Sequence, residues 1–190
     1  MNLVIIGLGN PGRSYLETRH NAGFWVVDAL AKQFQLKWTL HSSSLYMHIQ
    51  HSEPHGQLHL IKPQTFMNSS GEALMPFFHH HNVEDSELLV VVDQMDLLPG
   101  CLRFRSKGGN AGHNGLKSIE FHLGTQDYSR LYFGIGRPVA EVSVVDYVLQ
   151  PSLDGEKRFL EEGIEKATFA ILEWWRGMSF ERVMNAYNQR

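Results

Sequence analysis

A histidine and an aspartate stand where general acid–base chemistry is expected. His20 follows a glycine-rich turn after the first apolar run, and Asp93 comes directly after the apolar run 88–92. A histidine with a pKa near neutrality can take up a proton as a general base, and a neighbouring carboxylate can hold its tautomer. A buried carboxylate at the tip of a central strand needs a partner. We therefore predict that the fold brings His20 and Asp93 together.

Two asparagines occupy matching places at strand-to-helix junctions. Asn10 follows the apolar run 3–6, which is typical of a buried strand, and Asn68 follows a strand that Pro63 ends. In open α/β sheets, ligands bind in the crevice at the carboxyl ends of the strands. Either asparagine alone is also consistent with a residue that makes a turn. Together they indicate a binding site near His20.

The opening stretch also matches the fingerprint of dinucleotide-binding proteins, since Gly7, Gly9 and Gly12 follow a strand at the required spacing. In that motif the helix begins within the glycines, whereas here the amphipathic run begins only near Phe24. The acid expected at the end of a second strand is missing, because Asp28 lies inside a helical pattern. We therefore expect no nicotinamide or flavin, and no other cofactor.

Length, cysteine content and charge narrow the class of protein. The 190 residues suit one domain over 1–190, and no apolar run reaches the length of a membrane span. The single cysteine, Cys101, excludes an internal disulfide, and without a signal segment we expect a cytoplasmic protein. A net charge of −3 argues against nucleic-acid binding through bulk charge. A local basic patch is nevertheless predicted from Arg103, Arg105, Lys107, Lys117, Arg130 and Arg137.

The alternation of strand and helix patterns predicts an α/β fold, a three-layer sandwich with a central twisted, mixed but mostly parallel sheet flanked by helices. Strands are predicted at 3–6, 45–51, 57–62, 88–92, 102–105 and 130–135. Helices are predicted at 22–34, 72–81, up to about 123, at 142–149, 153–176 and from 179. Ser69 or Ser70 is expected to cap the second helix. Trp174 and Trp175 are expected to pack the C-terminal layer.

Many of the histidines cluster in sequence. The hairpin of the second and third strands carries His48, His51, His55 and His59, and the next helix ends in three more at 79–81. Zinc sites need convergent ligands, and neither group has a familiar ligand spacing. We therefore predict no metal site and expect these histidines to face solvent.

A glycine-rich loop, 107–117, leads into a helix with lysine and arginine nearby. Backbone N–H groups at a helix start bind anions. The loop therefore indicates a place for an anion such as phosphate.

Three segments, read together, resemble bacterial peptidyl-tRNA hydrolase. They are Gly-Leu-Gly-Asn-Pro-Gly at 7–12 with Thr-Arg-His-Asn at 18–21, Lys-Pro-x-Thr-Phe-Met-Asn-x-Ser-Gly at 62–71, and Gly-His-Asn-Gly-Leu-Lys-Ser-Ile at 112–119. The match covers nearly the whole chain in order and spacing. The resemblance implies a monomeric, metal-free cytoplasmic esterase of translation. Such an enzyme cuts the ester between a peptide and the tRNA 3′ ribose, and it requires a blocked α-amino group.

The resemblance also assigns roles to individual residues. His20 is expected to activate water as the general base, Asp93 to hold and stabilise its imidazole, and Asn10 to orient the water or the tRNA end. The positions that match peptide-binding or tRNA-binding residues of the family are Tyr15, Met67, Asn68, Asn114, Arg103 and Arg105. The two asparagines would hold peptide main chain or the developing oxyanion, since amides donate and accept without titrating. The tyrosine and methionine would line the cleft, and the arginine pair would contact tRNA phosphate.

The chain departs from the family pattern at three places. Gln94 stands where an acid is usual, Asn110 interrupts a Gly-His-Gly-Gly-His-Asn pattern, and Tyr132 stands where arginine is common. None of these replaces a proposed catalytic group. The last puts one tRNA-phosphate contact in doubt.

The alternative function is that of a non-catalytic RNA-binding relative of the same fold. A protein that only binds RNA has no need for the set formed by Asn10, His20, Asp93 and Asn114. This set favours the enzyme.

Overall fold

Seven β-strands in the described part of the chain form one mixed sheet. The structure, a computed structural model, describes residues 1–81, 83, 86–138 and 141–188. The strands are β1 (Asn2–Gly7), β2 (Thr39–Leu40), β3 (Tyr46–Glu53), β4 (Gly56–Pro63), β5 (Ser86–Gln94), β6 (Leu102–Arg105) and β7 (Ser129–Gly134). Their order is β2-β3-β4-β1-β5-β7-β6. The central four, β4, β1, β5 and β7, pair in parallel, and the remaining pairs are antiparallel.

Helices cover both faces of this sheet, which confirms the predicted sandwich. They are α1 (Ala22–Gln33), α2 (Leu74–His80), α3 (Asn114–Leu123), α4 (Val144–Val148), α5 (Asp154–Trp175) and α6 (Phe180–Tyr187). Helices α1, α5 and α6 share one apolar core with the sheet, and α2 and α3 share the other. Trp174 and Trp175 are buried in the first core, as predicted.

The first strand shows why the sequence patterns predicted this architecture. Leu3 and Ile5 point into the core beneath α1, whereas Val4 and Ile6 point into the opposite core. All four side chains are buried. A parallel strand covered on both faces needs such an unbroken apolar run, since neither face meets water.

Gly7 is required for packing against α1. A Cβ at Gly7 would lie 2.3 Å from the carbonyl oxygen of Gly23, so the strand end and the helix approach through two glycines. Asp28 lies inside α1, as predicted, and accepts hydrogen bonds from Trp38 and Lys62. The opening glycines therefore have a packing role that needs no dinucleotide.

The predicted helix over 72–81 is wrong at its start. A 3₁₀ helix, Met67–Ala73, comes first, and α2 follows it. Ser70 does not cap α2, because its hydroxyl donates to the carbonyl of Met67 (2.9 Å). Gly71 packs against Ser118, whose Oγ accepts its N–H at 2.9 Å. This contact with α3 stabilises the 3₁₀ helix, and nothing in the local sequence predicts it.

The expectation that these histidines face solvent is confirmed for His79 and His80, which are exposed, and is wrong for the other five. His59 is buried, and His48, His51, His55 and His81 are partly buried. The strands that carry them are covered by α2 on one face and by the Trp175 region on the other. Neither covering is visible in the local sequence.

In the described ranges, no helix has the length and apolarity needed to cross a membrane.

Candidate active site

The carboxyl ends of β1, β4 and β5 open into one cleft of about 600 Å³. The sequence-predicted residues that line it are Asn10, His20, Met67, Asn68, Asp93 and Asn114. They come from the turn after β1, the segment after β4, the tip of β5 and the start of α3. Parallel neighbours place these ends at one edge of the sheet, where ligands bind in such folds.

Asp93 lies at the centre of this site and accepts two imidazole hydrogen bonds on one oxygen. Its Oδ1 is 2.9 Å from Nδ1 of His20 and 3.1 Å from Nε2 of His113. Burial by itself raises the pKa of the Asp93 carboxyl, but the electrostatic interactions and hydrogen bonds with His20 and His113 outweigh it and hold this pKa well below its usual range. Asp93 is therefore a carboxylate, and both ring nitrogens donate to it. The predicted pair of His20 and Asp93 is confirmed as a contact.

His113 is the residue that sequence reasoning missed. Its Nδ1 accepts the backbone N–H groups of Gly115 (3.1 Å) and Leu116 (3.3 Å), so the imidazole caps α3. With Nδ1 as the acceptor, the proton lies on Nε2 and faces Asp93. The available signal was its place immediately before a helix, where capping residues stand.

This capping corrects the anion site predicted for the glycine-rich loop. The first free N–H groups of α3 donate to His113, so they are not available to a phosphate. His113 is thus a fixed neutral donor.

His20 differs from His113 in that, in the described part of the chain, only one of its two ring nitrogens is hydrogen-bonded. Its Nδ1 is engaged by Asp93, and within the described residues no hydrogen bond uses its Nε2. Burial lowers the pKa of His20, but the charge and hydrogen bond of Asp93 together raise it by more than burial lowers it. The pKa of His20 is therefore above the ordinary histidine value. The side chain is 14% exposed and lines the cleft. Its geometry is that of a base that can reach a bound water.

Asn10 is held rigidly at the bottom of the cleft. Its Oδ1 accepts the N–H of Met67 at 2.8 Å, and its own N–H donates to Oδ1 of Asn21 at 2.7 Å. Asn21 returns a hydrogen bond to the carbonyl of Asn10 at 3.0 Å. Since the amide oxygen of Asn10 is already used, its amide NH₂ is the group that can serve a ligand.

The other residues predicted to bind substrate lie at different places around the cleft. Asn68 and Asn114 are exposed and line the cleft, whereas Met67 is buried in its floor. Tyr15 does not line the cleft itself. It packs edge-on against Phe66, which does, with ring centroids 6.2 Å apart.

Helix α4 contributes an apolar wall to the cleft. Val144 and Val145 line the cleft with exposed side chains. Arg19, next to His20, is buried and donates to the carbonyl of Tyr147 in α4 (3.4 Å). It also donates to the carbonyl of Pro151 (2.7 Å) and to Glu156 (2.7 Å). The wall is therefore clamped to the loop that carries the base.

Of the six cations predicted to form a basic patch, three lie on β6 or just after it, and Lys117 is exposed on α3. Arg103 and Arg105 lie on one side of β6, opposite the buried pair of Leu102 and Phe104, as the alternation predicted. Lys107 follows them and is exposed. None of these three cations lines the cleft, so they form a separate surface beside it.

Arg130 does not belong to this patch, because it is fully buried. It donates to the carbonyl of Tyr128 (2.7 Å) and forms an ion pair with Glu120 (3.5 Å). Arg137 is exposed but pairs with Asp96 at the cleft rim. Both arginines therefore form ion pairs within the protein.

The departures from the family pattern have structural partners. Asn110 donates to Glu120 (2.7 Å) and accepts the N–H of Gly112 (3.0 Å), which closes the loop before α3. Gln94 accepts the N–H of Asp96 at 3.1 Å. Tyr132 lines the cleft and pairs in register with Arg103 across β6 and β7.

Within the part of the chain that the structure describes, two groups each bring together three side chains of metal-ligating types. One is His20, Asp93 and His113 in the cleft, and the other is His48, His59 and His81 beneath α2. In the first group, the hydrogen bonds to Asp93 already explain why the three side chains converge.

Comparisons with known proteins agree with this geometry. The family model described as peptidyl-tRNA hydrolase matches residues 4–190. The chain is 42% identical to the peptidyl-tRNA hydrolase of Oceanobacillus iheyensis, over 98% of this chain and 99% of that one. It is also 42% identical to the Bacillus subtilis protein, over 99% of both chains. The crystal structure of peptidyl-tRNA hydrolase from Acinetobacter baumannii superposes with a TM-score of 0.87 at 33% identity, covering 98% of this chain and 96% of that one. Sequence, fold and cleft thus lead to one conclusion: the chain belongs to the peptidyl-tRNA hydrolase family.

Proposed function

We propose that this chain hydrolyses the ester between a peptide, or an N-blocked aminoacyl group, and the 3′ ribose of tRNA. The observation that carries the proposal is the state of the two imidazoles around Asp93. His113 is held as a neutral donor, and His20 keeps a free Nε2 in the cleft. One base, one carboxylate and several amides suit hydrolysis of an ester by water.

The reaction begins with a water bound at Nε2 of His20. The water oxygen attacks the ester carbonyl while its proton moves to Nε2, and Asp93 stabilises the imidazolium that forms. The tetrahedral intermediate then collapses as the bond to the ribose oxygen breaks. The proton on Nε2 passes to that oxygen, so the products are a free peptide acid and a tRNA with its 3′ hydroxyl restored.

The amide side chains serve the charge that develops on the carbonyl oxygen. Asn10 offers its NH₂ from a fixed position, and Asn68 and Asn114 offer amides from the rim. Loss of one such donor typically costs about 10²–10³ in rate. Amides that bind main chain also leave the enzyme indifferent to the peptide sequence.

The wall formed by α4 supports a preference for a blocked α-amino group. A free ammonium next to Val144 and Val145 loses hydration without gaining a partner. An acylated nitrogen carries no charge and avoids this cost. Ordinary aminoacyl-tRNA is therefore spared.

Recognition of tRNA is assigned to Arg103, Arg105 and Lys107, beside the cleft. Their charges suit the backbone phosphates of the acceptor end, and arginine adds a bidentate fork. We propose that the protein acts as a monomer in the cytoplasm, with no metal in the cleft.

The experiment that tests the reaction is hydrolysis of an N-acetylated aminoacyl-tRNA by the purified protein in the presence of a chelator. The His20→Ala variant and an unblocked aminoacyl-tRNA are the controls. We expect cleavage of the blocked substrate alone, reduced by several orders of magnitude in the variant. Binding of tRNA without cleavage would establish the RNA-binding alternative, and full activity in His20→Ala would remove the proposed base.

A further inference from the structure

Three histidines from three different elements converge beneath α2. His48 lies on β3, His59 on β4, and His81 directly after α2. His59 is buried, and the other two are partly buried. None of them lines the cleft, so the hydrolytic site does not account for this cluster.

The ring nitrogens already lie close together. Nε2 of His48 is 3.0 Å from Nδ1 of His59, and one ligating nitrogen from each of the three rings lies within 4.8 Å of the others. The ring centroids of His48 and His81 are 4.4 Å apart. In tetrahedral zinc coordination, with Zn–N bonds of about 2.0–2.1 Å, ligand nitrogens are about 3.3 Å apart. Side-chain adjustments of about 1 Å therefore suffice to bind an ion.

Two buried polar atoms beside the cluster have no hydrogen-bond partner within the described residues. They are the hydroxyl of Tyr46, which is fully buried, and Nε2 of His41. The His41 ring stacks on Tyr46 at 4.5 Å, and the Tyr46 ring meets His48 at 6.4 Å. Buried polar groups are almost always paired.

We propose that His48, His59 and His81 form a binding site for Zn²⁺ or a similar borderline divalent metal. Three imidazoles leave the fourth tetrahedral position for water. The ion would join β3, β4 and the end of α2, so its role is to stabilise this side of the sheet rather than to take part in hydrolysis.

The experiment is a zinc titration of the full-length, untagged protein after treatment with a chelator. Isothermal titration calorimetry gives the stoichiometry, and Co²⁺ replaces Zn²⁺ in a parallel absorption measurement because tetrahedral Co²⁺ has a strong visible band. Since His20, Asp93 and His113 offer a competing site, the titration is repeated in the His20→Ala background. The cluster is tested with His81→Gln, and the matched control is His79→Gln, an exposed histidine on α2.

We expect one zinc ion per chain in the His20→Ala background, a higher melting temperature with zinc, and the Co²⁺ band. His81→Gln should weaken binding by about 100-fold or more and remove the band, whereas His79→Gln should bind as the unmodified protein does. Unchanged hydrolase activity of His81→Gln verifies that this variant is folded. The proposal fails if zinc does not bind, if binding disappears in His20→Ala, or if His79→Gln and His81→Gln bind equally. The last result would leave the cluster as packed neutral imidazoles.

Discussion

Replacement of Asp93 by asparagine separates the charge of this residue from its hydrogen bonds. Both imidazoles donate to the same oxygen, Oδ1. The amide oxygen of Asp93→Asn can accept the same two bonds, so His20 and His113 keep their tautomers. The variant therefore removes the negative charge and little else.

The expected loss of rate in Asp93→Asn follows from the positive charge that His20 acquires during the reaction. The contact of 2.9 Å places the two charge centres about 4 Å apart, where an ion pair near a protein surface is worth about 4 kcal/mol at an effective dielectric constant of about 20. A hydrogen bond to a charged group contributes about 1.5–3 kcal/mol by comparison. A loss of about 3–4 kcal/mol in the transition state corresponds to a rate reduced about 10²–10³-fold.

The pH dependence gives the prediction a second, independent readout. Only neutral His20 can act as the base, so kcat/KM of the unmodified enzyme rises with pH through the raised pKa of His20. In Asp93→Asn, burial remains and the opposing charge is gone, so this pKa falls. The rising limb should therefore move to lower pH. The rate of the variant relative to the unmodified enzyme should be lowest at about pH 8 and higher at about pH 5, where His20 of the unmodified enzyme is mostly protonated.

The assay is hydrolysis of N-acetylated aminoacyl-tRNA across this pH range, with Asp96→Asn as the matched control. Asp96→Asn makes the same chemical change three residues away, but Asp96 pairs with Arg137. The rise of kcat/KM with pH should therefore stay at the same pH in this variant. A loss of less than about tenfold at high pH, or a limb displaced to higher pH, would refute the assignment of His20 as the base held by Asp93.

Three further variants test the arginines. Arg105→Ala should weaken tRNA binding and reduce the slope of log K against log salt by about 0.9, and it should leave the urea midpoint unchanged. Arg130→Ala should instead lower the free energy of unfolding by about 3–5 kcal/mol, because it leaves Glu120 without its buried partner. Equal effects of the two variants on tRNA binding would contradict the smaller basic patch. Arg19→Ala should lower the free energy of unfolding by about 2–3 kcal/mol and raise KM more than it lowers kcat, because the α4 wall loses its clamp. Urea denaturation and steady-state kinetics measure both quantities, and an unchanged KM would show that the wall does not contact substrate.

The sequence by itself determined six of the seven strands, all but the short edge strand β2, and most of the cleft. The unbroken apolar runs of β1 and β5 predict buried parallel strands, because a strand covered on both faces has no polar side. Polar residues that follow such strands, as Asn10 and Asp93 do, must then meet at one edge of the sheet. The packing of Leu102 and Phe104 away from the arginines follows from the same period-two geometry.

Only the tertiary structure decided which side chains become partners across distant segments. His113 is a fixed donor because the start of α3 lies beside the tip of β5, and Arg130 is lost to the basic patch because Glu120 on α3 faces it. His48, His59 and His81 converge because α2 covers the hairpin. Residue types and local periodicity specify the face on which a side chain lies. They do not specify what the neighbouring element places opposite it, because that depends on the packing of segments far apart in the chain.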